Sequence, residues 1–113
     1  MGQSKLQVAK ISSLLLCMMW ALSPAARAQS SVTGLYTAKC QACHGADGTA
    51  GTPAGKVVGA HDFHSAEVLN QTDAQLIVTV TKGKGKMPAY EKIYTAAQIT
   101  ALVTYCRQLG TKK

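Results

Sequence analysis

Apolar residues recur at three- and four-residue steps in three stretches of the chain, and each stretch reads as one face of a helix. In the first, Val32, Leu35, Tyr36, Cys40 and Cys43 keep the helical period, and Gly45 ends the run. In the second, Thr72 followed by Gln75 forms a capping box, Leu76, Ile77 and Val80 follow, and Gly83 stops the helix. In the third, Thr95 and Gln98 repeat the box. Ile99, Leu102, Cys106 and Leu109 then line one stripe, with Val103 and Tyr105 beside it, and Gly110 sits in the position just past the C-terminus. Residues 45–64 hold six glycines and prolines in spaced positions and read as turns and irregular chain. Residues 65–69 suit a short helical turn. Residues 83–94 form a second loop, with Gly83, Gly85 and Pro88 around Met87. No alternating strand pattern stands out, since Ile77 to Thr81 is β-branched but lies between a helix cap and a glycine stop.

The chain has 113 residues, which is one small domain at most. No apolar run reaches the roughly 18 residues that a membrane-spanning helix requires. Residues 1–28 read as a secretory signal. Lys5 and Lys10 give a positive start, Ile11 to Leu22 is a mostly apolar stretch, Pro24 breaks it, and Ala26-Arg27-Ala28 is a small-residue cleavage site. A lipid anchor on Cys17 is disfavoured by the bulky Leu16 before it. Cleavage would start the mature chain at Gln29 and leave one domain over residues 29–113. It would remove Lys5, Lys10 and Arg27, so the net charge of +7 becomes +4. It would also remove Cys17, Trp20 and three methionines, leaving Cys40, Cys43, Cys106 and a single methionine, Met87. A chain this short has a thin core and usually needs a cross-link or a cofactor.

Cys40-Gln41-Ala42-Cys43-His44 is a C-x-x-C-H, the pattern of covalent haem attachment. Thiols at i and i+3 emerge on one side of a helical turn, where both can bond the vinyl groups of one haem. The adjacent His44 can then supply an axial nitrogen. Other chemistries share the C-x-x-C. A thioredoxin-type dithiol needs a βαβ context that is missing here. A zinc site needs four ligands, and neighbouring Cys43 and His44 seldom serve one ion. A Cys40–Cys43 disulfide would leave His44 without a role.

Residues 31–110 resemble the small monohaem class I cytochromes c. The resemblance is carried by Gly34-Leu35-Tyr36 leading into Cys40-x-x-Cys43-His44-Gly45, by Gly83-Lys84-Gly85-Lys86-Met87-Pro88-Ala89-Tyr90, and by Leu102-Val103-Thr104-Tyr105 with Leu109. It implies an all-α fold of three to four short helices around one haem c, held by Cys40 and Cys43. It implies His44 as proximal ligand and Met87 as distal ligand. It implies that the carbonyl of Pro53 accepts the other imidazole N–H of His44, and that Tyr90 and the ligand loop shield the ring from water. The first and last helices are expected to cross, with Gly34 and Tyr36 against Leu102 and Tyr105.

Met87 also stands out on its own, because a methionine between glycines and a proline is not at a helical core position. His61 and His64 are rival ligands, but they lie in a polar stretch that suits the surface. Cys106 occupies a core stripe, where a free cysteine acts as a small hydrophobe. Lys82, Lys84 and Lys86 alternate with glycines around the ligand loop, and Lys39, Lys56 and Lys92 add to the charge. Their plain reading is a solvated face, and their sharper one is a docking face for an acidic redox donor or acceptor. Nucleic-acid binding is not expected: the mature chain has one arginine, Arg107, and no glycine-lysine phosphate loop matches. The expected protein is exported to the periplasm, soluble after cleavage, without stable membrane insertion. It is a one-electron carrier rather than an enzyme. The alternatives are a haem enzyme or gas sensor with an open axial site, and a dedicated electron-transfer subunit of a larger complex.

Overall fold

The computed structural model describes residues 24–113, with side chains from residue 31 onward. The inferred signal segment therefore lies outside the described residues as far as residue 23, and Cys17 with it. Six helical segments follow: α1 (Pro24–Lys39), α2 (Gln41–His44), α3 (Pro53–Val58), α4 (Ala66–Leu69), α5 (Asp73–Lys82) and α6 (Ala96–Thr111). Among the described residues there is no strand, only an isolated bridge between Lys84 and Met87. The all-α expectation holds, with three longer helices and three short ones.

Local chemistry explains the helix starts. Thr72 Oγ1 accepts from the Gln75 amide at 3.2 Å, and Gln75 Oε1 accepts from the Thr72 amide at 2.8 Å. Thr95 and Gln98 do the same at 3.2 and 2.8 Å. Each box satisfies two backbone donors that have no partner inside the helix. Ser65 caps α4, bearing out the short turn expected at 65–69. α1 starts well before Val32, with Pro24 at its first position, where the missing N–H is no loss.

Three expectations need correction. Residues 45–64 are not wholly irregular, because α3 lies within them. Thr52 caps it, accepting from the Gly55 amide at 2.9 Å, and Pro53 opens it. Gly110 is not a C-terminal cap, since α6 runs on to Thr111 and ends at Lys112. Gly110 is buried, and a Cβ there would stand 2.5 Å from the Phe63 carbonyl oxygen, so the position requires close approach. Gly34 is exposed and a Cβ there would meet nothing, so it is not part of the helix crossing.

The core forms where α1 crosses α6. Val32 and Tyr36 from α1 pack with Leu102 and Leu109 from α6, and Phe63 and Val68 close the cluster from the intervening chain. Tyr36 is 1% exposed and meets Tyr105 edge-on with centroids 5.1 Å apart. Each such buried aliphatic side chain contributes about 1.5–3 kcal/mol. Arg107 of α6 fastens the chain between α4 and α5. Its Nη1 donates to the Val68 carbonyl at 3.1 Å, its Nη2 to the Gln71 carbonyl, and its Nε to Asp73 Oδ1 at 2.9 Å.

Candidate functional site

Cys40 stands at the junction of α1 and α2. The amides of Cys43 and His44 donate to its carbonyl at 3.2 and 3.0 Å, which winds the C-x-x-C-H into one turn. Cys40 and Cys43 are both half-buried free thiols. Burial pushes the Cys40 thiol up to about 11. Two side chains hold the turn from outside. Tyr36 Oη donates to the Gly45 carbonyl at 2.7 Å. Thr52 Oγ1 lies 2.7 Å from the Ala42 carbonyl and 3.1 Å from that of Cys43, sharing its one proton between them.

His44 Nδ1 lies 3.1 Å from the carbonyl oxygen of His61. A carbonyl only accepts, so the proton sits on Nδ1 and Nε2 keeps its lone pair. Burial holds His44 below the ordinary histidine range, which keeps the ring neutral. The partner carbonyl is a correction, because Pro53 was expected to supply it. Pro53 is exposed at the start of α3 and makes no such contact; the carbonyl comes from the next loop.

Met87 lies in the loop after α5. Lys84 and Met87 exchange backbone hydrogen bonds of 3.1 and 3.0 Å across Gly85-Lys86, closing a tight turn. Gly83, at φ +76°, lets that turn fold back: a Cβ there would stand 2.6 Å from the Met87 oxygen and 2.9 Å from the Ala89 nitrogen. Tyr90 is buried, its amide donates to Val80 and its Oη donates to the Lys39 carbonyl at 3.1 Å. It stacks on Tyr94, whose Oη donates to the Leu35 carbonyl at 3.0 Å. The loop is thereby tied to the end of α1, next to Cys40.

These segments enclose one cleft with two adjoining lobes. Cys40, His44, His61 and Met87 line both. The inner lobe is almost wholly apolar and reaches Phe63, Leu102, Val103 and Cys106. The outer lobe, about 1100 Å³ with its open mouth, adds Cys43, Lys39, Lys86 and Tyr90. Of the sequence-predicted site residues, Cys40, Cys43, His44, Met87 and Tyr90 thus come together, and Pro53 stands apart. The donor set fits a c-type haem: two thiols on one turn, an imidazole with a free lone pair, a thioether, and apolar walls for a flat macrocycle.

The rival histidines separate. His61 lines the cleft, but its Nδ1 faces Glu67 at 3.4 Å. His64 does not line the cleft and its Nδ1 pairs with Asp62 at 2.8 Å. Cys106 is a free thiol that burial pushes up to about 12. The three loop lysines are unequal: Lys82 is engaged by Glu91 at 2.6 Å, whereas Lys84 and Lys86 line the cleft. Sequence reading missed Phe63, whose ring stacks on that of His44 with centroids 4.6 Å apart and planes at 25°. Its only signal was an isolated aromatic in an otherwise small and polar stretch.

Comparison with known proteins points to a family. A family model described as cytochrome c oxidase, cbb3-type, subunit III matches residues 27–106. Cytochrome c6 of Rippkaea orientalis is 38% identical over 86 residues, covering 74% of this chain and 75% of that protein. The solved structure of the KustC0563 c-type cytochrome superposes with a TM-score of 0.62 at 30% identity, covering 68% of this chain and 94% of that one. No described helix is long and apolar enough to cross a membrane. The chain belongs to the c-type cytochromes, as a small class I member with the all-α cytochrome c fold, a family of electron carriers with c-type haem.

Proposed function

We propose that this protein carries single electrons between redox proteins, with one haem c held through thioethers to Cys40 and Cys43 and ligated by His44 and Met87. The observation that supports it is the convergence of those four side chains on one apolar cleft. When bound, the haem supplies an iron that takes up and returns one electron. Every other part of the work falls to the chain. Cys40 and Cys43 prevent loss of the cofactor. His44 offers Nε2 while the His61 carbonyl fixes its ring and raises its basicity. Met87 offers a soft sulfur that favours the reduced metal and raises the potential relative to two histidines. If His44 and Met87 both held the iron, no site would remain for a substrate, which separates a carrier from an enzyme or gas sensor. Tyr90 and the turn at Lys84–Met87 limit the access of water.

Location follows the same reading: residues 1–28 direct export, the mature chain begins at Gln29, and the carrier works in the periplasm. The deciding experiment is the optical spectrum of the mature holoprotein. A six-coordinate low-spin ferric form with a sulfur-to-iron charge-transfer band is expected, and the band vanishes in Met87→Ala. A high-spin spectrum that shifts readily with carbon monoxide would instead establish an open axial site and overturn the carrier reading.

A further inference from the structure

We propose that Phe63 is a positioning residue that holds the imidazole of His44 in one rotational setting, aligned with its hydrogen bond to His61. The inference rests on His44 being an iron ligand. The two rings lie 4.6 Å apart at 25°, close to parallel. An offset-stacked ring at that distance resists rotation of its neighbour and so reinforces the bond from Nδ1 to the His61 carbonyl. The same short segment, His61 to Phe63, thus supplies both a polar and an apolar contact to one imidazole.

Phe63 is itself held. It is 9% exposed, and its amide donates to the Gly48 carbonyl at 2.8 Å. Tyr36 meets it edge-on with centroids 6.5 Å apart. Gly48, at φ +77°, lies so close that a Cβ there would stand 2.6 Å from Phe63 Cδ2, and Gly110 presses on its carbonyl from α6. Gly48 leaves room for the ring and Gly110 for the backbone that carries it, so the placement of Phe63 is built into α6 and the loop after His44. The setting of an axial imidazole determines how unpaired spin spreads over a ferric haem.

The test uses nuclear magnetic resonance of the ferric holoprotein. In the wild type, one set of hyperfine-shifted methyl resonances and a slowly exchanging His44 ring N–H are expected. Two ring settings, or N–H exchange as fast as in an open imidazole, would overturn the proposal without any variant. In Phe63→Leu and Phe63→Met, with the low-spin spectrum retained, the methyl pattern changes and N–H exchange accelerates about tenfold. Phe63→Tyr restores both. Variants that stay folded and low-spin with an unchanged pattern and unchanged exchange would also overturn it. Failure of the underlying ligation is read separately: a low-spin spectrum that survives His44→Ala removes His44 as a ligand whatever Phe63 does.

Discussion

His64 sits at a seam where a proton controls an ion pair. Its Nδ1 and its backbone amide both contact Asp62 Oδ1, each at 2.8 Å. Hydrogen bonding to Asp62 raises the His64 pKa above 6.5, with smaller help from the Lys112 carbonyl and from Asp47. The same loop bonds hold Asp62 below the usual carboxylate value of 3.8. A raised histidine stabilises the fold fully below its unfolded pKa and loses that contribution as pH rises through its folded value. A depressed aspartate keeps its contribution until pH falls below 3.8. The pair therefore acts between these limits. His64→Gln should melt below the wild type at about pH 5.5 and match it at about pH 8.5. A difference that grows with pH would refute the pairing. Both side chains are partly exposed, at 31% and 43%, so solvent screens the pair and the shift in melting temperature is small. At the same scale, Tyr36 shows a role that charge cannot play: fully buried, it spends its hydroxyl on the Gly45 carbonyl, and so anchors the end of the C-x-x-C-H turn.

Among elements, α6 distinguishes what local rules can reach from what they cannot. Its start at Thr95 was legible because the capping box closes within four residues. Its end was not, because Gly110 answers to Phe63, far away in the chain. Helix propensity alone says that Gly110→Ala stabilises an interior position by about 1 kcal/mol. The structure reverses the sign: the new methyl would meet backbone oxygen at 2.5 Å, and backbone cannot swing aside as a side chain does. Forced packing of this kind costs about 1–3 kcal/mol, so Gly110→Ala should lower the urea midpoint. A raised midpoint would show that propensity wins. The site divides in the same way. The two cysteines, His44 and Met87 were legible as a short motif and a misplaced methionine. The carbonyl that contacts His44 was not, because loop hydrogen bonds are chosen by tertiary placement: Pro53 was spent on opening α3, and His61 took its place.

Across the whole molecule, the fold sorts charge that the sequence only counts. Asp73 is engaged by Arg107 and Glu91 by Lys82, while Asp62 and Glu67 face histidines. These carboxylates are held away from the outer lobe of the cleft, which no acidic residue lines and where Lys39, Lys84 and Lys86 stand. The outer lobe is therefore lined by positive charge, while Glu67 lines the inner one. Such a field raises encounter rates with an acidic partner and is screened over about 10 Å at 0.1 M salt. The rate of electron exchange with an acidic redox protein should therefore fall about tenfold between low and physiological ionic strength. The lysines should differ in their share. Lys84→Glu and Lys86→Glu reverse charges in the outer lobe, and each should slow exchange several-fold and flatten the salt dependence. Lys82→Ala removes a charge already offset by Glu91 at 2.6 Å and should matter least. The optical spectrum should stay unchanged in all three, because none of these side chains holds the cofactor. Equal effects at the three positions would mean that total charge governs the encounter, and a rate indifferent to salt would mean that these lysines do not steer at all.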